Sequence, residues 1–219
     1  MNFGPVASLV IALSTSPAPR SIDAVKLSEP PVIDGKLDEA LWAALPKAAE
    51  FEDPYAGGLA EDQTEAWVGY DDRGLYAAFH CHFKNIADIV GREVRPGTAF
   101  EGDDFVALRI DPFNTKAFEN MSRFQVNCLG TRNEIIAGGR ATKAEWRGDW
   151  KAASSRVSDG YTIEMFIPWS AVNYPSSATR DMTINFVRWH GKQNRKSIWS
   201  NCTAAERPEL NGILKGVQT

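Results

Sequence analysis

The sequence predicts an all-β fold, an antiparallel β-sandwich of jelly-roll type with about nine strands and one or two short helices. From residue 64 onward, apolar residues recur at every second position, which is the period of a strand buried on one side. Short clusters of Gly, Asp, Asn and Ser separate these stretches at the spacing of hairpin turns. The 219 residues suit a single large all-β domain, which we place at residues 30–216.

One convincing helix precedes the strands. Asp38 is a suitable N-cap, and an apolar stripe of Leu41, Trp42 and Leu45 follows at helical spacing. A second helical turn is predicted at residues 168–172, which begin with proline, because proline is favoured at the first position of a helix.

The strands are predicted from alternation and turn residues. The first hairpin joins two strands through the turn residues Asp71–Gly74, and its return strand places Leu75, Ala77, Phe79 and Cys81 on a core face. In chain order, the predicted strands are 64–70, 75–83, 105–111, 123–128, 132–137, 150–157, 161–167, 183–190 and 197–199.

Charge and cysteine content exclude several classes of protein. The chain has 24 Lys+Arg against 28 Asp+Glu, a net charge of −4, whereas a nucleic-acid binder normally carries a basic stripe. Cys81, Cys128 and Cys202 are widely spaced and form no C-x-x-C pair, so they indicate neither a disulfide framework nor a zinc site. We expect the three cysteines to be buried thiols. The alternative is that two of them form one disulfide bond, if the protein lies in an oxidising compartment.

The N-terminus, residues 1–20, has features of an export signal. Residues 6–13 form an apolar run that is far shorter than the ~20 residues of a membrane-spanning helix but fits a signal-peptide core. The positively charged start of a signal peptide is missing, because Arg20 is the first basic residue. We expect an exported protein (periplasmic, outer-membrane-associated or extracellular), and the alternative is a frayed or truncated start.

Strong catalytic motifs are missing from the sequence. It has no phosphate-binding glycine loop, no G-x-S-x-G and no H-E-x-x-H, which weakens most enzyme interpretations. His80 and His82 would share one face of a strand, with Cys81 on the other, and could donate two metal ligands. No third ligand lies nearby in sequence, so hydrogen-bonded or solvated histidines are favoured.

Acidic loop residues could build a calcium site, which needs six to eight oxygen ligands. Their spacing matches no known calcium loop, and turn formation and capping explain most of them. The candidates are Asp34, Asp38, Asp71, Asp72, Asp103, Asp104 and Asp111.

A file of polar residues runs along two neighbouring predicted strands. Phe105 and Arg109 alternate away from the apolar side of one strand, and Arg123, Gln125 and Asn127 do so in the next. Planar polar groups beside an aromatic ring suit sugars, whose hydroxyls accept paired hydrogen bonds and whose C–H faces pack on rings. The alternative is an ordinary solvated sheet face.

Seven motifs, in order over residues 30–216, resemble family 9 carbohydrate-binding modules. They are IDGKLDEALW at 33–42, YDDRGLY at 70–76, DDFVALRID at 103–111, FQVN at 124–127, GYTIEMFIPW at 160–169, TINFVR at 183–188 followed by Trp199, and NGIL at 211–214.

The resemblance implies an exported, non-catalytic β-sandwich that binds an oligo- or polysaccharide on a sheet face, often with structural calcium. Within this family, the chain resembles the modules at the N-terminus of bacterial exported proteins that continue into a large, uncharacterised β-barrel-like region. A membrane barrel is therefore a candidate partner, the chain can be a fragment, and catalysis would belong to a separate domain.

The chain departs from the sugar-binding pattern of that family. Of the two Trp rings that clamp the sugar, the first position falls on Glu101 and the second in residues 201–211, which contain no aromatic residue. Where sugar-binding members have a glutamate, this chain has Ala107, and where they have an arginine, it has Gln125. The asparagine of those members is present here as Asn127. The carbohydrate-binding residues predicted here are Asn127, Gln125, Arg109 and Phe105, with Glu101 at the rim.

Two further predictions concern single side chains. Trp146 and Trp150 flank a loop and are candidates for an exposed ligand platform, although core packing is favoured for Trp150. Glu164 and Arg188 alternate away from the neighbouring apolar residues, so we predict that they contact each other on one sheet face.

Two other function classes stay open at this point. One is an interaction module that docks onto a membrane barrel or partner, which the missing Trp clamp favours. The other is a glycoside hydrolase using Asp103, Asp104 or Glu164, which would need two facing carboxylates in a cleft.

Overall fold

The computed structural model describes residues 18–137, 148–172, 174 and 179–218. Within these residues the chain forms twelve strands in two sheets and one α-helix. The strands are β1 (Ser21–Asp23), β2 (Lys47–Ala48), β3 (Thr64–Tyr70), β4 (Gly74–His82), β5 (Phe105–Asp111), β6 (Ser122–Asn127), β7 (Arg132–Ile135), β8 (Lys151–Val157), β9 (Gly160–Pro168), β10 (Arg180–His190), β11 (Arg195–Ile198) and β12 (Gly212–Val217), and the helix is α1 (Ala40–Ala44).

The two sheets pack as a sandwich. Sheet A has the order β1-β12-β10-β5-β6-β7, with β11 also paired to β10, and sheet B has the order β2-β3-β4-β9-β8. Neighbouring strands are antiparallel except β1 and β12, which are parallel. The predicted sandwich is confirmed, and the nine predicted strands correspond to β3 to β11.

Three strands escaped the sequence prediction. β1 and β2 have three and two residues, too few to show an alternating pattern, and glycines at 212 and 216 weaken the pattern of β12. β1 lies before residue 30, where the domain was predicted to start. It is nevertheless part of the fold, because it pairs with β12 at the edge of sheet A.

The main core lies between the sheets. The predicted core face of β4, formed by Leu75, Ala77, Phe79 and Cys81, is fully buried there. All three cysteines are buried and unbridged. Burial raises the pKa of their thiols, so they stay protonated and apolar.

A second, smaller core covers the other side of sheet B. Trp42 and Leu45 of the α1 segment pack on Tyr76 and Ala78 of β4. The predicted N-cap, Asp38, is one residue too early: Glu39 occupies the cap position and makes no side-chain cap. In the described residues, no helix has the length and apolarity to cross a membrane.

Glu164 of β9 joins the N-terminal segment to sheet B. Its Oε2 accepts hydrogen bonds from the backbone N–H groups of Asp34 (3.0 Å) and Gly35 (2.9 Å), and its Oε1 accepts one from the Trp42 indole (2.9 Å). Burial raises the pKa of this carboxyl group to about 7. A side chain at Gly35 would come within 2.6 Å of the Ser154 backbone, and φ is +87° there, so the bend fits only glycine.

Arg188 occupies a different place, and the predicted contact with Glu164 is wrong. Arg188 is fully buried and shares its side of β10 with the core residues Ile184 and Phe186. Its Nη1 donates to the backbone oxygens of Gln63 (3.0 Å) and His82 (2.9 Å). Glu164 instead alternates with the core residues of β9 and lies on the outer side of sheet B.

Candidate functional site

The side of sheet A that faces away from the core carries the predicted polar file. We call this side of β5, β6, β7, β10 and β11 the outer face. The register of these strands places Phe105 opposite Trp189, Arg109 opposite Arg123, and Gln125 opposite Asn133. Phe105, Arg109 and Gln125 therefore share one surface, as the sequence predicts. The outer face comprises Phe105, Ala107, Arg109, Arg123, Gln125, Asn133, Asn185, Val187 and Trp189.

An aromatic pair forms one end of the outer face. The rings of Phe105 and Trp189 are nearly parallel, with centroids 6.1 Å apart and planes at 13°, and both are half-buried. Phe100 packs against Phe105 at 5.4 Å and supports it from the loop before β5. Sequence reasoning missed Trp189, because both sides of β10 carry apolar residues and alternation alone does not show which side faces outward.

Two side-chain amides lie on the neighbouring strands of the outer face: Gln125 of β6 is diagonal to Phe105, and Asn133 of β7 is opposite Gln125. Asn133 Nδ2 donates to Gln125 Oε1 at 2.8 Å, which orients both amides. Among the residues that the structure describes, no protein group bonds Gln125 Nε2 or Asn133 Oδ1. The face thus offers one donor and one acceptor in fixed positions, which is the pairing that adjacent sugar hydroxyls require.

The other end of the outer face is positively charged. Arg109 is 3.3 Å from Glu206, which also pairs with Lys196. Burial acts to raise the pKa of Glu206, but Arg109 and Lys196 hold it below its usual value. Arg123 lies over the Phe118 ring at 4.2 Å, and burial together with Arg109 lowers its pKa. Arg109 and Lys196 therefore share one carboxylate, and Arg123 lies opposite Arg109 on the neighbouring strand.

The loop between β11 and β12 covers the middle of the outer face. Its Cys202 and Leu210 form a small buried cluster with Ala107, Val187 and Ile198. The second Trp clamp position was predicted in this loop, which contains no aromatic side chain. The open part of the face is therefore bounded by the aromatic pair, the two amides and Arg123.

Glu101 is the residue predicted for the rim of the sugar site. It is exposed in the turn before β5 and lines a groove of about 370 Å³ together with Arg92, Arg95 and Thr98. No hydrogen bond within the described residues restrains its carboxylate, so it is free to turn toward a ligand.

Asn127 has a different role from the one predicted. Its side chain is fully buried, and its amide nitrogen donates to Glu93 O (2.8 Å) and Asp103 Oδ2 (2.9 Å). Its Oδ1 accepts hydrogen bonds from the backbone of Leu129 and Thr131. Every polar atom of the amide is thus bonded within the protein, so Asn127 positions the surrounding loops and offers no group to a ligand.

The acidic residues just before β5 accept hydrogen bonds from the backbone of other loops. Asp103 accepts hydrogen bonds from the backbone of Arg92 and Glu93, and Asp104 accepts from Val90 and Gly191. These oxygens point at separate backbone groups rather than at one cation position, so they do not fit a calcium cage. Calcium binding elsewhere stays a prediction from the resemblance.

The proposed hydrolase carboxylates do not face each other. Asp103 and Asp104 lie at the start of β5 in sheet A, whereas Glu164 lies on the outer side of sheet B, and all three are bonded to backbone amides. Trp150 is buried in the core, where its indole donates to Glu134, and Trp146 lies outside the described residues.

Comparison with protein families and solved structures gives consistent results. Residues 33–207 match the model of the family described as "Carbohydrate family 9 binding domain-like". The chain is 26% identical over 191 residues to endo-1,4-beta-xylanase A of Thermoanaerobacterium saccharolyticum. That match covers 84% of this chain and 15% of the xylanase, so the chain spans a small part of that relative.

Three solved structures share the fold. A family 9 module from Caldicellulosiruptor kristjanssonii in complex with cellotriose has a TM-score of 0.62 at 16% identity, covering 90% of this chain and 93% of that one. The same organism's module in complex with glucose gives 0.59 at 18% identity, with 90% and 95% coverage. A protein from Bacteroides uniformis, described as carbohydrate-binding, gives 0.65 at 16% identity, with 91% and 99% coverage.

Proposed function

Because this chain belongs to the carbohydrate family 9 binding domain-like family, whose modules bind carbohydrate and are non-catalytic, we propose that it binds glycans on the open part of the outer face. The observation that carries this proposal is the Phe105–Trp189 pair beside the Gln125 and Asn133 amides. A pyranose ring can pack its C–H face on the aromatic pair while its hydroxyls bond the amides.

The neighbours suggest which ligands to test first. The Caldicellulosiruptor modules bind cellotriose and glucose, and the curated relative is a xylanase. Cello- and xylo-oligosaccharides are therefore the first ligands to test on this chain. We also propose that the protein is exported, in keeping with its leader-like start and its similarity to the xylanase.

Removal of the Trp189 ring is the direct test of the site. We expect Trp189→Ala to weaken oligosaccharide binding about tenfold or more, because a stacked ring contributes on the order of 1 kcal/mol beyond its buried area. Isothermal titration calorimetry measures this change. The matched control is Trp67→Ala, which removes a partly buried Trp from the outer side of sheet B. Equal affinity of both variants would move the site away from the outer face.

The cations of the outer face predict a preference for acidic glycans. Arg123 has no carboxylate partner among the described residues, and it is paired with Arg109 in the register of β5 and β6. A uronic acid carboxylate could accept hydrogen bonds from Arg123. We expect glucuronic-acid-substituted xylo-oligosaccharides to bind severalfold more tightly than unsubstituted ones. Arg123→Gln should abolish the difference, and equal binding in the wild type would contradict the prediction.

The interaction hypothesis makes a different prediction for the surface. It needs a continuous exposed apolar patch. The large exposed apolar side chains lie outside the named strands of both sheets: Val32, Tyr55, Leu59, Ile86, Val94, Phe113, Leu129 and Tyr174. Glycan binding is the better-supported proposal because the family to which this chain belongs binds carbohydrate. A glycan array that is negative with and without calcium would favour docking onto a partner.

A further inference from the structure

Two histidines stack on the outer side of sheet B, away from the proposed sugar site. His80 and His82 of β4 point to the same side, with ring centroids 3.9 Å apart. Strand pairing sets Glu65 of β3 opposite His80, and Asp159 lies in the turn between β8 and β9. The ligands that the sequence did not supply nearby therefore come from a neighbouring strand and a distant turn.

The polar atoms of these residues converge. Asp159 Oδ1 is 3.0 Å from His80 Nε2, and Asp159 Oδ2 is 2.7 Å from His82 Nδ1. Glu65 Oε2 is 3.7 Å from His82 Nε2. One ligand atom from each of Glu65, His80 and His82 lies within 4.8 Å of the others, and the described residues contain no second such set.

The other partners of Glu65 and His82 leave one ligand atom of each residue available for a metal ion. Lys47 pairs with Oε1 of Glu65, which leaves Oε2 turned toward His82. Because the Asp159 carboxylate accepts a hydrogen bond at His82 Nδ1, the imidazole proton is on Nδ1. The lone pair is then on Nε2, which faces Glu65. A carboxylate behind the ring of a histidine is the usual outer partner of a metal-ligating histidine.

Distance and charge fit a transition metal ion. Zinc–nitrogen and zinc–oxygen bonds are about 2.0–2.2 Å, so ligand atoms around a tetrahedral ion lie roughly 3.4 Å apart. The 3.7 Å between Glu65 Oε2 and His82 Nε2 is close to that spacing, and the whole set of ligand atoms lies within 4.8 Å. Two carboxylates and two imidazoles meet here: Glu65 pairs with Lys47, and Asp159 pairs with His80 and His82.

We propose that Glu65, His80 and His82 bind one divalent transition metal ion of the zinc, nickel or copper class, with Asp159 as a positioning residue for His82. Mixed imidazole and carboxylate ligands favour these ions over calcium, which takes oxygen ligands. All four side chains are partly exposed, so the ion can enter and keep water in the remaining coordination positions.

Calorimetric titration of the chelator-treated, tag-free chain tests this proposal. Zinc chloride is expected to bind with one ion per chain and to raise the melting temperature, whereas calcium chloride should give no heat at this site. His82→Gln should weaken zinc binding at least tenfold, and Asp159→Asn should also weaken it, about tenfold, by loss of the ring's outer partner.

The control is Glu61→Ala, which removes an exposed carboxylate paired with Lys84 and should leave zinc affinity unchanged. Zinc binding of equal affinity in a His80→Gln/His82→Gln double variant would overturn the proposal, and so would the lack of zinc binding by the wild type. Circular dichroism shows whether each variant is folded. Because zinc is titrated without sugar, a negative result here is separate from a failure of glycan binding.

Discussion

Replacement of Glu164 by alanine is expected to lower the free energy of unfolding by about 3 kcal/mol or more. The carboxylate accepts hydrogen bonds from the partly buried N–H of Asp34 and from the buried N–H groups of Gly35 and the Trp42 indole, and all three would lose their acceptor. Each unsatisfied buried donor costs about 1–3 kcal/mol. Chemical denaturation measures the loss, and Glu29→Ala, at an exposed glutamate, is the control. A loss below about 1 kcal/mol would mean that the N-terminal segment is not anchored there.

The same residue predicts a pH dependence of stability. Burial raises the pKa of Glu164 to about 7 from an ordinary value of 4.5, so the folded state holds the proton more tightly than the unfolded state. Its contribution is complete below about pH 4.5 and is lost as the pH rises through about 7. We expect this loss, on the order of 3 kcal/mol, to be missing in Glu164→Gln, whose side chain does not titrate. An equally steep decline in both proteins would assign the titration to another group.

Replacement of Arg188 by alanine is the second large effect, with an expected loss of about 3 kcal/mol or more. The guanidinium donates to the backbone oxygens of Gln63 and His82 and lies 4.3 Å over the Phe83 ring. Alanine removes the donor of these buried oxygens and leaves a cavity. We expect Arg188→Lys to lose less, because it keeps a donor but not the planar contact with the ring.

The control for this change is Arg195→Ala, since Arg195 lies on the neighbouring strand β11 with its side chain 59% exposed. Equilibrium denaturation in urea compares the variants. If Arg188→Ala and Arg195→Ala lost the same stability, the buried guanidinium would not be holding the ends of β3 and β4 against β10.

The alternation of apolar and polar residues predicted the positions of the strands well. It failed to show which side chains face the core where a strand is buried on both sides. The hairpin of β3 and β4 follows from the pattern of Leu75 to Cys81. In β10, however, Val187 is covered by the loop before β12 while Phe186 faces the core, so both parities are apolar. Parity alone therefore cannot tell which side Arg188 occupies, and the wrong side produced the wrong partner.

The candidate sites show the same limit. Phe105, Arg109 and Gln125 were predicted together because they lie on adjacent strands whose parity is clear. Glu65 and Asp159 come close to the histidines only through strand register and a turn 77 residues after His82. Asn127 was assigned to sugar binding because it is polar in a recognised motif, and only its hydrogen bonds show that the loops use all of its capacity.

The parallel pairing of β1 with β12 has a consequence for the order of folding. Ser21 lies beside Ile213, and β10, in the middle of sheet A, also follows every strand of sheet B in the chain. During synthesis on the ribosome, sheet B can therefore be completed while sheet A still lacks β10 and β12, the strands that lie between β1 and β5. Such distant contacts form slowly, so a nascent chain would expose the strand edges of β1 and β5 until β10 and β12 emerge.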